Sequence, residues 1–242
     1  VPVLVDESSP NGNIRKLMLW GNRNGFFYVL DRTTGEFIRG DPFVNVNWAS
    51  GLSPDGRPIP TPQPPGTVTF PGVQGGTNWY SPSYSPSTRL FYLSAWEDYG
   101  SIFRPEFSEY QPGRRFDGGR PTSPIPGAPN VPSLRRSHIN TWTEAVGRGA
   151  VIAIDPSTAK EKWKFEMTDV SMSGVLTTAS DLLFSGGQEG YFHALDARTG
   201  ELLWKATLGG SVVNGPITYA IENMQYVAVA AGNSLFVFGL RD

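Results

Sequence analysis

The chain has 242 residues, of which 39% are hydrophobic and 17% charged, with 28 glycines, 21 prolines and no cysteine. This length is sufficient for one large all-β domain or a pair of smaller ones, and the lack of cysteine excludes disulfides, thiolate catalysis and cysteine-ligated metal sites. A formal net charge of -2, with scattered lysines and arginines, argues against a nucleic-acid binder, and no apolar run approaches the roughly 20 residues of a membrane helix.

The first part of the chain predicts paired strands. Residues 1–6 show no initiator methionine and no cleavage pattern, so we expect an interior strand of something longer. From Leu17 to Ile38, two apolar runs flank the tetrapeptide Asn-Arg-Asn-Gly, and Asn-Gly between such runs predicts a tight hairpin turn. The turn explains Asn24 and Gly25. It leaves Arg23 as either a solvated turn residue or a residue that holds a ligand.

Further strand-rich stretches follow, separated by turn residues. They are expected at 14–39, 77–96, 149–166, 174–206 and 211–239, and each is expected to form a separate sheet, or blade. Two long loops rich in proline and glycine, at 50–76 and 97–148, interrupt them and cannot be central strands, because proline cannot donate to a ladder. Residues 110–135 are either disordered or part of a loop that packs over one face of the domain.

An internal repeat organises the chain. The stretches "VLDRTTGEF" from Val29, "AIDPSTAKEKW" from Ala153 and "ALDARTGELLW" from Ala194 share an apolar-Asp-x-x-Thr pattern. The last two align at both Asp and Trp with a spacing of 41 residues (196 − 155 and 204 − 163). A period near 40 with several strands predicts propeller blades, in which the Asp caps a turn and the Trp packs between blades.

The repeat A-x-D-x-x-T-G-x-x-x-W resembles the tryptophan-docking motif of dehydrogenases that depend on pyrroloquinoline quinone (PQQ). Longer stretches, spread over essentially the whole chain, resemble the methanol/ethanol dehydrogenase group of that family: "GNRNGFFYVLDRTTGEF" at 21–37, "NWASG" at 47–51, "PGVQGGTNWYSPSYSP" at 71–86, "LTTASDLLFSGGQEGYFHALDARTGELLWK" at 176–205 and "NGPITYAIENMQYVAVAAG" at 214–232.

The resemblance implies an all-β propeller of four-stranded antiparallel blades, with residues 1–242 forming the C-terminal portion, close to half, of eight blades. It implies a periplasmic enzyme that oxidises alcohols, or sugars and aldehydes, by hydride transfer to PQQ beside Ca²⁺ or a lanthanide. The family's catalytic aspartate and metal ligands are expected upstream of Val1, so no catalytic residue and no metal ligand is assigned within this chain.

The resemblance also implies a set of cofactor residues. Arg23 matches the family's basic residue at the quinone oxygens, where reduction places negative charge. Asn78 matches an asparagine whose amide donates near the quinone. Trp79 either lines the substrate funnel or serves as a docking or core tryptophan.

Two further cofactor-binding segments are implied. Ser173 and Gly174 stand where many relatives have Trp-Gly-Gly, and Met172 is a candidate to fill the space of the missing tryptophan. Asn214 and Gly215 resemble a loop whose backbone approaches the cofactor from the last blade.

The sequence offers little support for a histidine metal site or a catalytic pair of carboxylates. His138 and His193 are the only histidines and are 55 residues apart, and His193 is expected to be a packed or surface residue of a strand. Glu97 and Asp98 are adjacent and would point to opposite faces of a strand, so they do not form a carboxylate dyad.

Alternative functions and the expected partners follow from these residues. A non-catalytic propeller for protein binding or outer-membrane assembly would lack polar residues at the axis, whereas Arg23 and Asn78 are present. A glycan-binding or hydrolytic propeller would need paired carboxylates there, and no pair stands out. Expected partners are the N-terminal half of the propeller or a second copy, an alcohol, and a separate cytochrome or quinone acceptor, since no Cys-x-x-Cys-His haem motif is present.

Overall fold

The computed structural model describes residues 1–8, 14–105, 107–114, 116, 119–122 and 147–240. These residues form twenty strands and no helix, as the sequence predicts. In chain order the strands are β1 (Val3–Ser8), β2 (Ile14–Gly21), β3 (Phe26–Asp31), β4 (Phe37–Pro42), β5 (Ala49–Leu52), β6 (Pro58–Pro60), β7 (Val68–Thr69), β8 (Ser83–Ser85), β9 (Leu90–Glu97), β10 (Ser101–Pro105), β11 (Gly119–Thr122), β12 (Arg148–Asp155), β13 (Lys160–Glu166), β14 (Leu176–Thr177), β15 (Leu182–Gly186), β16 (Tyr191–Asp196), β17 (Leu202–Thr207), β18 (Ile217–Ile221), β19 (Met224–Ala231) and β20 (Ser234–Gly239).

The larger sheets are propeller blades. Three have four antiparallel strands, in the orders β1-β2-β3-β4, β8-β9-β12-β13 and β14-β15-β16-β17, and are called blades 1, 2 and 3. Blade 4 has three strands, in the order β18-β19-β20. The prediction of a β-propeller with four-stranded antiparallel blades is confirmed, and four blades correspond to half of an eight-bladed ring.

One prediction about the strands was wrong. The stretches at 77–96 and 149–166 were expected to be separate blades, but β9 pairs with β12 from Phe91↔Ile154 to Glu97↔Arg148. The long insertion therefore lies between the second and third strands of blade 2. A sequence gives no local signal for the pairing of two strands that a long insertion separates.

The two long loops carry short strands of their own. β5 and β6 form a two-stranded sheet, and β7, β10 and β11 form a three-stranded one. None of these strands joins a blade, and β6, β10 and β11 contain proline. His138 and most of 110–135 lie outside the described residues, so the expectations for them stay predictions.

Apolar side chains between adjacent blades form the core. Phe27 and Phe91 meet between blades 1 and 2 with ring centroids 5.1 Å apart. Tyr92 and Trp163 of blade 2 pack against Leu195 of blade 3. Since burial of a large apolar side chain contributes roughly 1.5–3 kcal/mol, these contacts between blades stabilise the fold.

The repeated Asp and Trp residues hold turns and blades together. The Oδ1 atoms of Asp31, Asp155 and Asp196 each accept the backbone N–H two residues later, and each distance is 2.7 Å. Trp163 is buried and donates its indole N–H to the Ala197 carbonyl at 3.0 Å, in the next blade. Trp204, its counterpart in blade 3, is 41% exposed.

Candidate functional site

The predicted cofactor residues lie at corresponding ends of their blades. In an antiparallel sheet, the connection between the second and third strands and the approach to the first strand lie at the same end. Arg23 lies in the β2–β3 connection of blade 1. Asn78, Ser173 and Asn214 lie in the approaches to the first strands of blades 2, 3 and 4. This shared end is called the upper face.

Arg23 contacts the segment that leads into blade 2. Its Nε donates to the Gln74 carbonyl at 3.2 Å, and its Nη2 donates to the Val73 carbonyl. Its backbone carbonyl accepts the N–H of Gly76 at 3.0 Å. The side chain is exposed, so the guanidinium is held in place but remains accessible from outside.

Glycine at position 75 is what permits this approach. Gly75 has a φ of +82°, in the left-handed region, and a Cβ there would lie 2.2 Å from Arg23 Cγ and 2.3 Å from the Arg23 carbonyl oxygen. Only glycine combines that backbone conformation with so close a contact. The Gly75-Gly76 pair therefore positions Arg23.

Asn78 is joined to the same segment. Its Nδ2 donates to the backbone carbonyl and to the side-chain Oε1 of Gln74, both at 3.0 Å. Its Oδ1 accepts the N–H of Trp79 at 3.0 Å. Both amide hydrogens of Asn78 thus have acceptors within the protein. For this amide to donate to a quinone, the Gln74 side chain has to move away from it.

Trp79 lies at the surface. It is 57% exposed, and its ring packs on Tyr80 with centroids 5.2 Å apart. The structure therefore favours a surface position over the alternative of a core or docking tryptophan.

A buried aromatic layer supports these residues. Tyr80 stacks on Trp96, and Met172 packs in the same cluster, so methionine fills space in this layer. Burial raises the pKa of the Tyr80 hydroxyl, and the charge of the Arg23 guanidinium acts in the opposite direction. Trp96 donates its indole N–H to the Ser171 carbonyl at 2.6 Å, which links the layer to the segment that carries Ser173.

The second pair of predicted segments is in direct contact. Ser173 Oγ donates to the Asn214 carbonyl at 3.0 Å, and a Cβ on Gly174 would lie 3.0 Å from the Cα of Gly215. Ser173 is fully buried, so its hydroxyl serves to join the two segments. The Asn214 side chain holds β19, donating to the Ala230 carbonyl at 2.6 Å and accepting the Ala230 N–H at 3.3 Å.

The remaining candidates have structural partners. His193 is buried, as a packed strand residue should be, and burial lowers its pKa to about 4. Glu97 pairs with Lys164 at 2.6 Å, whereas Asp98 accepts from Asn45 at 3.2 Å, so the two acids face different partners. Within the described part of the chain, no group of three or more His, Asp or Glu side chains is arranged to hold a metal ion.

Sequence reasoning missed three residues of the upper face. Gln74 joins Arg23 to Asn78, and Asp169 and Glu189 are charged residues that are both buried. The Gln74 backbone carbonyl, which accepts from both residues, has no sequence signal, and the Gln74 side chain accepts from Asn78 as well. Glu189 stands in the turn "GGQEG", where an acidic residue is ordinarily solvated.

The residues present fit an anionic quinone such as PQQ. Arg23 presents five N–H donors, of which two bind carbonyls, and the others have no acceptor among the described residues. A planar guanidinium with free N–H donors suits a carboxylate-bearing ligand. The donor set is therefore compatible with a contribution to a quinone site.

The sequence matches a known domain family. Residues 142–227 match the family described as PQQ, the β-propeller domain of glucose, ethanol and alcohol dehydrogenases. A cytochrome c-linked 1-butanol dehydrogenase from Thauera butanivorans is 36% identical over 91% of this chain, which spans 31% of that protein. The chain thus covers about a third of the length of the curated relatives that it matches.

Solved structures agree with this match. The quinohemoprotein alcohol dehydrogenase from Comamonas testosteroni aligns over 96% of this chain and 34% of its own, with a TM-score of 0.77 and 33% identity. A europium-containing methanol dehydrogenase aligns over 95% of this chain and 38% of its own, with a TM-score of 0.77 and 30% identity. By sequence and by fold, the chain is therefore similar over most of its length to PQQ-dependent quinoprotein alcohol dehydrogenases, and residues 142–227 match the β-propeller domain of that family.

Proposed function

We propose that this chain supplies part of the PQQ site of a dehydrogenase that oxidises alcohols, or sugars and aldehydes. The observation that carries the proposal is the position of Arg23, an exposed guanidinium held at the upper face by two carbonyls of the segment that also carries Asn78.

Each predicted residue has a role in this proposal. Arg23 binds and stabilises the quinone oxygens, because a fixed cation costs no reorganisation when negative charge develops there. Asn78 gives up its hydrogen bond to the Gln74 side chain and donates instead to the same edge of the quinone. Trp79 lines the entrance to the site. The contacting segments of Ser173–Gly174 and Asn214–Gly215 supply the floor. When bound, PQQ supplies the hydride acceptor, and the protein supplies orientation and electrostatics.

The catalytic base and the metal belong to the rest of the enzyme in this proposal. The aspartate that takes the alcohol proton and the ligands of Ca²⁺ or a lanthanide come from the remainder of the propeller. The similarity to a methanol dehydrogenase that contains europium supports a lanthanide as one of the two choices.

The partners and the location are part of the same proposal. We propose that the chain packs against the N-terminal half of the propeller, or against a second copy, and passes electrons to a separate cytochrome or quinone in the periplasm. The name of the butanol dehydrogenase includes cytochrome c, which supports the first acceptor. Within the described residues, no helix has the length and apolar composition to cross a bilayer.

Reconstitution tests the proposed function. The chain is combined with the N-terminal part of a close relative's propeller, PQQ and either Ca²⁺ or La³⁺, and oxidation of ethanol and 1-butanol is followed with an artificial electron acceptor. PQQ-dependent turnover that falls at least tenfold in Arg23→Ala is expected. PQQ-dependent turnover that is identical in wild type and Arg23→Ala would contradict the proposal, and a wild-type mixture that binds no PQQ would favour a non-catalytic propeller for protein binding.

A further inference from the structure

The turn between β15 and β16 carries two polar side chains that are buried. Gln188 is 7% exposed and Glu189 is 4% exposed. Acidic side chains are rarely buried to this degree unless a partner compensates. The turn lies at the upper face, since it joins the second and third strands of blade 3. The burial of these two side chains indicates that they have a role in the structure that a solvated turn residue does not have.

The Glu189 carboxylate folds back and binds the approach segment of its own blade. Its Oε2 accepts the backbone N–H of Asp169 at 3.1 Å. A Cβ on Gly187 would lie 2.9 Å from the same oxygen, so glycine leaves the space in which the carboxylate sits. A second contact runs in parallel, because Ser171 Oγ donates to the Gly186 carbonyl at 2.7 Å.

The other side of that segment is held by blade 2. Trp96 binds the Ser171 carbonyl, and Ser94 Oγ donates to the Ser173 carbonyl at 2.6 Å. Residues 169–174, called the floor segment, are thus clamped between β9 and the turn of blade 3. Among these hydrogen bonds of the floor segment, only the one from Asp169 N has a titratable side chain, that of Glu189, as its acceptor.

The same turn also holds the approach to blade 4. Val212 donates its N–H to the Gly187 carbonyl at 3.0 Å, and Ser211 Oγ donates to the Gln188 carbonyl at 3.0 Å. This approach continues to Asn214, whose carbonyl accepts from Ser173. The turn is therefore a common support for the two segments of the proposed cofactor floor.

Charged groups on two elements face the Glu189 carboxyl. Burial raises its pKa to about 7, and the charge of Asp169 acts in the same direction. Hydrogen bonds from the backbone N–H groups of Asp169 and Glu189 lower this pKa, and so does the charge of Lys205 on β17. Lys205 also lowers the pKa of the buried His193 on β16.

We propose that Glu189 is a positioning residue for the cofactor floor, holding the floor segment through the backbone N–H of Asp169. The strength of this hydrogen bond depends on the protonation state of the carboxyl, because an ionised carboxylate accepts the N–H more strongly than the neutral acid. This inference rests on the proposed function only for the link to PQQ; the contact itself belongs to the chain.

Amide NMR on the 242-residue chain tests the contact. In wild type, the Asp169 amide shift is expected to titrate between pH 5.5 and 8.5, with a midpoint near that of Glu189. Glu189→Gln retains an oxygen acceptor and should abolish the titration while leaving amide exchange of 169–174 within twofold. Glu189→Ala should speed that exchange at least tenfold. Glu201→Ala, at an exposed site of the same blade, is the matched control and should behave as wild type.

PQQ affinity, measured on the same variants, tests the link to the cofactor. We expect it to weaken at least fivefold in Glu189→Ala and to change less than twofold in Glu189→Gln and Glu201→Ala. If Glu189→Ala does not fold, Gly187→Ala displaces the same carboxylate and should also speed exchange of the floor segment.

Two outcomes overturn the inference. One is a wild-type Asp169 amide that does not titrate, and the other is equal exchange in Glu189→Ala and Glu201→Ala. If wild type fails to bind PQQ, the cofactor part of the proposed function fails, and the amide measurements still decide the role of Glu189.

Discussion

Arg23 and Asn78 donate to the same acceptor, the backbone carbonyl of Gln74, at 3.2 and 3.0 Å. They are 55 residues apart in the sequence (78 − 23) and belong to different blades. This shared carbonyl turns two separate polar residues into one unit at the upper face. Changes to either residue, or to the backbone between them, should therefore affect ligand binding together.

Removal of the Arg23 charge should weaken PQQ binding with little effect on folding. Arg23→Ala is expected to raise the Kd for PQQ at least tenfold, since a hydrogen bond to a charged group contributes about 1.5–3 kcal/mol. Arg23→Lys should be intermediate, because lysine lacks the planar fork. Fluorescence titration measures the Kd, and Arg57→Ala, an exposed arginine paired with Asp55, is the control. Equal losses in Arg23→Ala and Arg57→Ala would rule out a specific role.

Alanine at Gly75 should displace Arg23. Its Cβ would lie 2.2 Å from Arg23 Cγ, so we expect the free energy of unfolding to fall by about 2–4 kcal/mol and PQQ binding to weaken as in Arg23→Ala. Gly66 has a similar φ of +86°, but a Cβ there would meet no atom within 4 Å, and Gly66→Ala should cost only about 1 kcal/mol. Urea denaturation compares the two variants. Equal costs would mean that strain at positive φ, and not contact with Arg23, dominates.

The two repeat tryptophans should differ in their contribution to stability. Trp163→Ala is expected to lower the free energy of unfolding by about 3–5 kcal/mol, because it empties a buried site and leaves the Ala197 carbonyl without its indole donor. Trp204→Ala should cost less than half as much in the same chain, since that ring is 41% exposed. If the rest of the propeller covers Trp204 in the reconstituted enzyme, Trp204→Ala should lower the free energy of unfolding there by about as much as Trp163→Ala.

Stability should depend on pH through two buried groups that act in opposite directions. Glu189 has its pKa raised from 4.5 to about 7, so the folded state retains a proton that the unfolded state loses, and its contribution to stability is lost as pH rises through this window. His193 has its pKa lowered from 6.5 to about 4, so its contribution rises with pH between these values.

Glu189→Gln separates these contributions. The free energy of unfolding of wild type minus that of Glu189→Gln should fall by up to about 3 kcal/mol between pH 4.5 and 7, at roughly 1.4 kcal/mol for each unit of pH. Thermal or urea unfolding at half-unit intervals measures it, with Glu201→Gln as the control. A difference that does not change with pH would mean that Glu189 is ionised throughout this range.

Much of the fold could be predicted from local pattern. The 41-residue register of Asp and Trp indicated blades, and each of the three repeat aspartates caps its turn, because an Asx turn depends only on residues two positions apart. The pairing of β9 with β12 could not be predicted, because nothing local records which strands meet across a long insertion.

The sequence by itself therefore determined the all-β class, the blade period, the turns and the resemblance to quinoprotein dehydrogenases, since these depend on neighbouring residues and recurrent motifs. Only the tertiary structure decided that Gln74 joins Arg23 to Asn78, that the Asn78 amide is already occupied, and that Glu189 is buried against Asp169. The physical reason is that Arg23 reaches Gln74 only where two blades pack together, and Glu189 loses its solvent only where its turn folds back on the approach segment of its own blade. These contacts join residues that are far apart in the sequence, and the residues on either side of them do not indicate the contact.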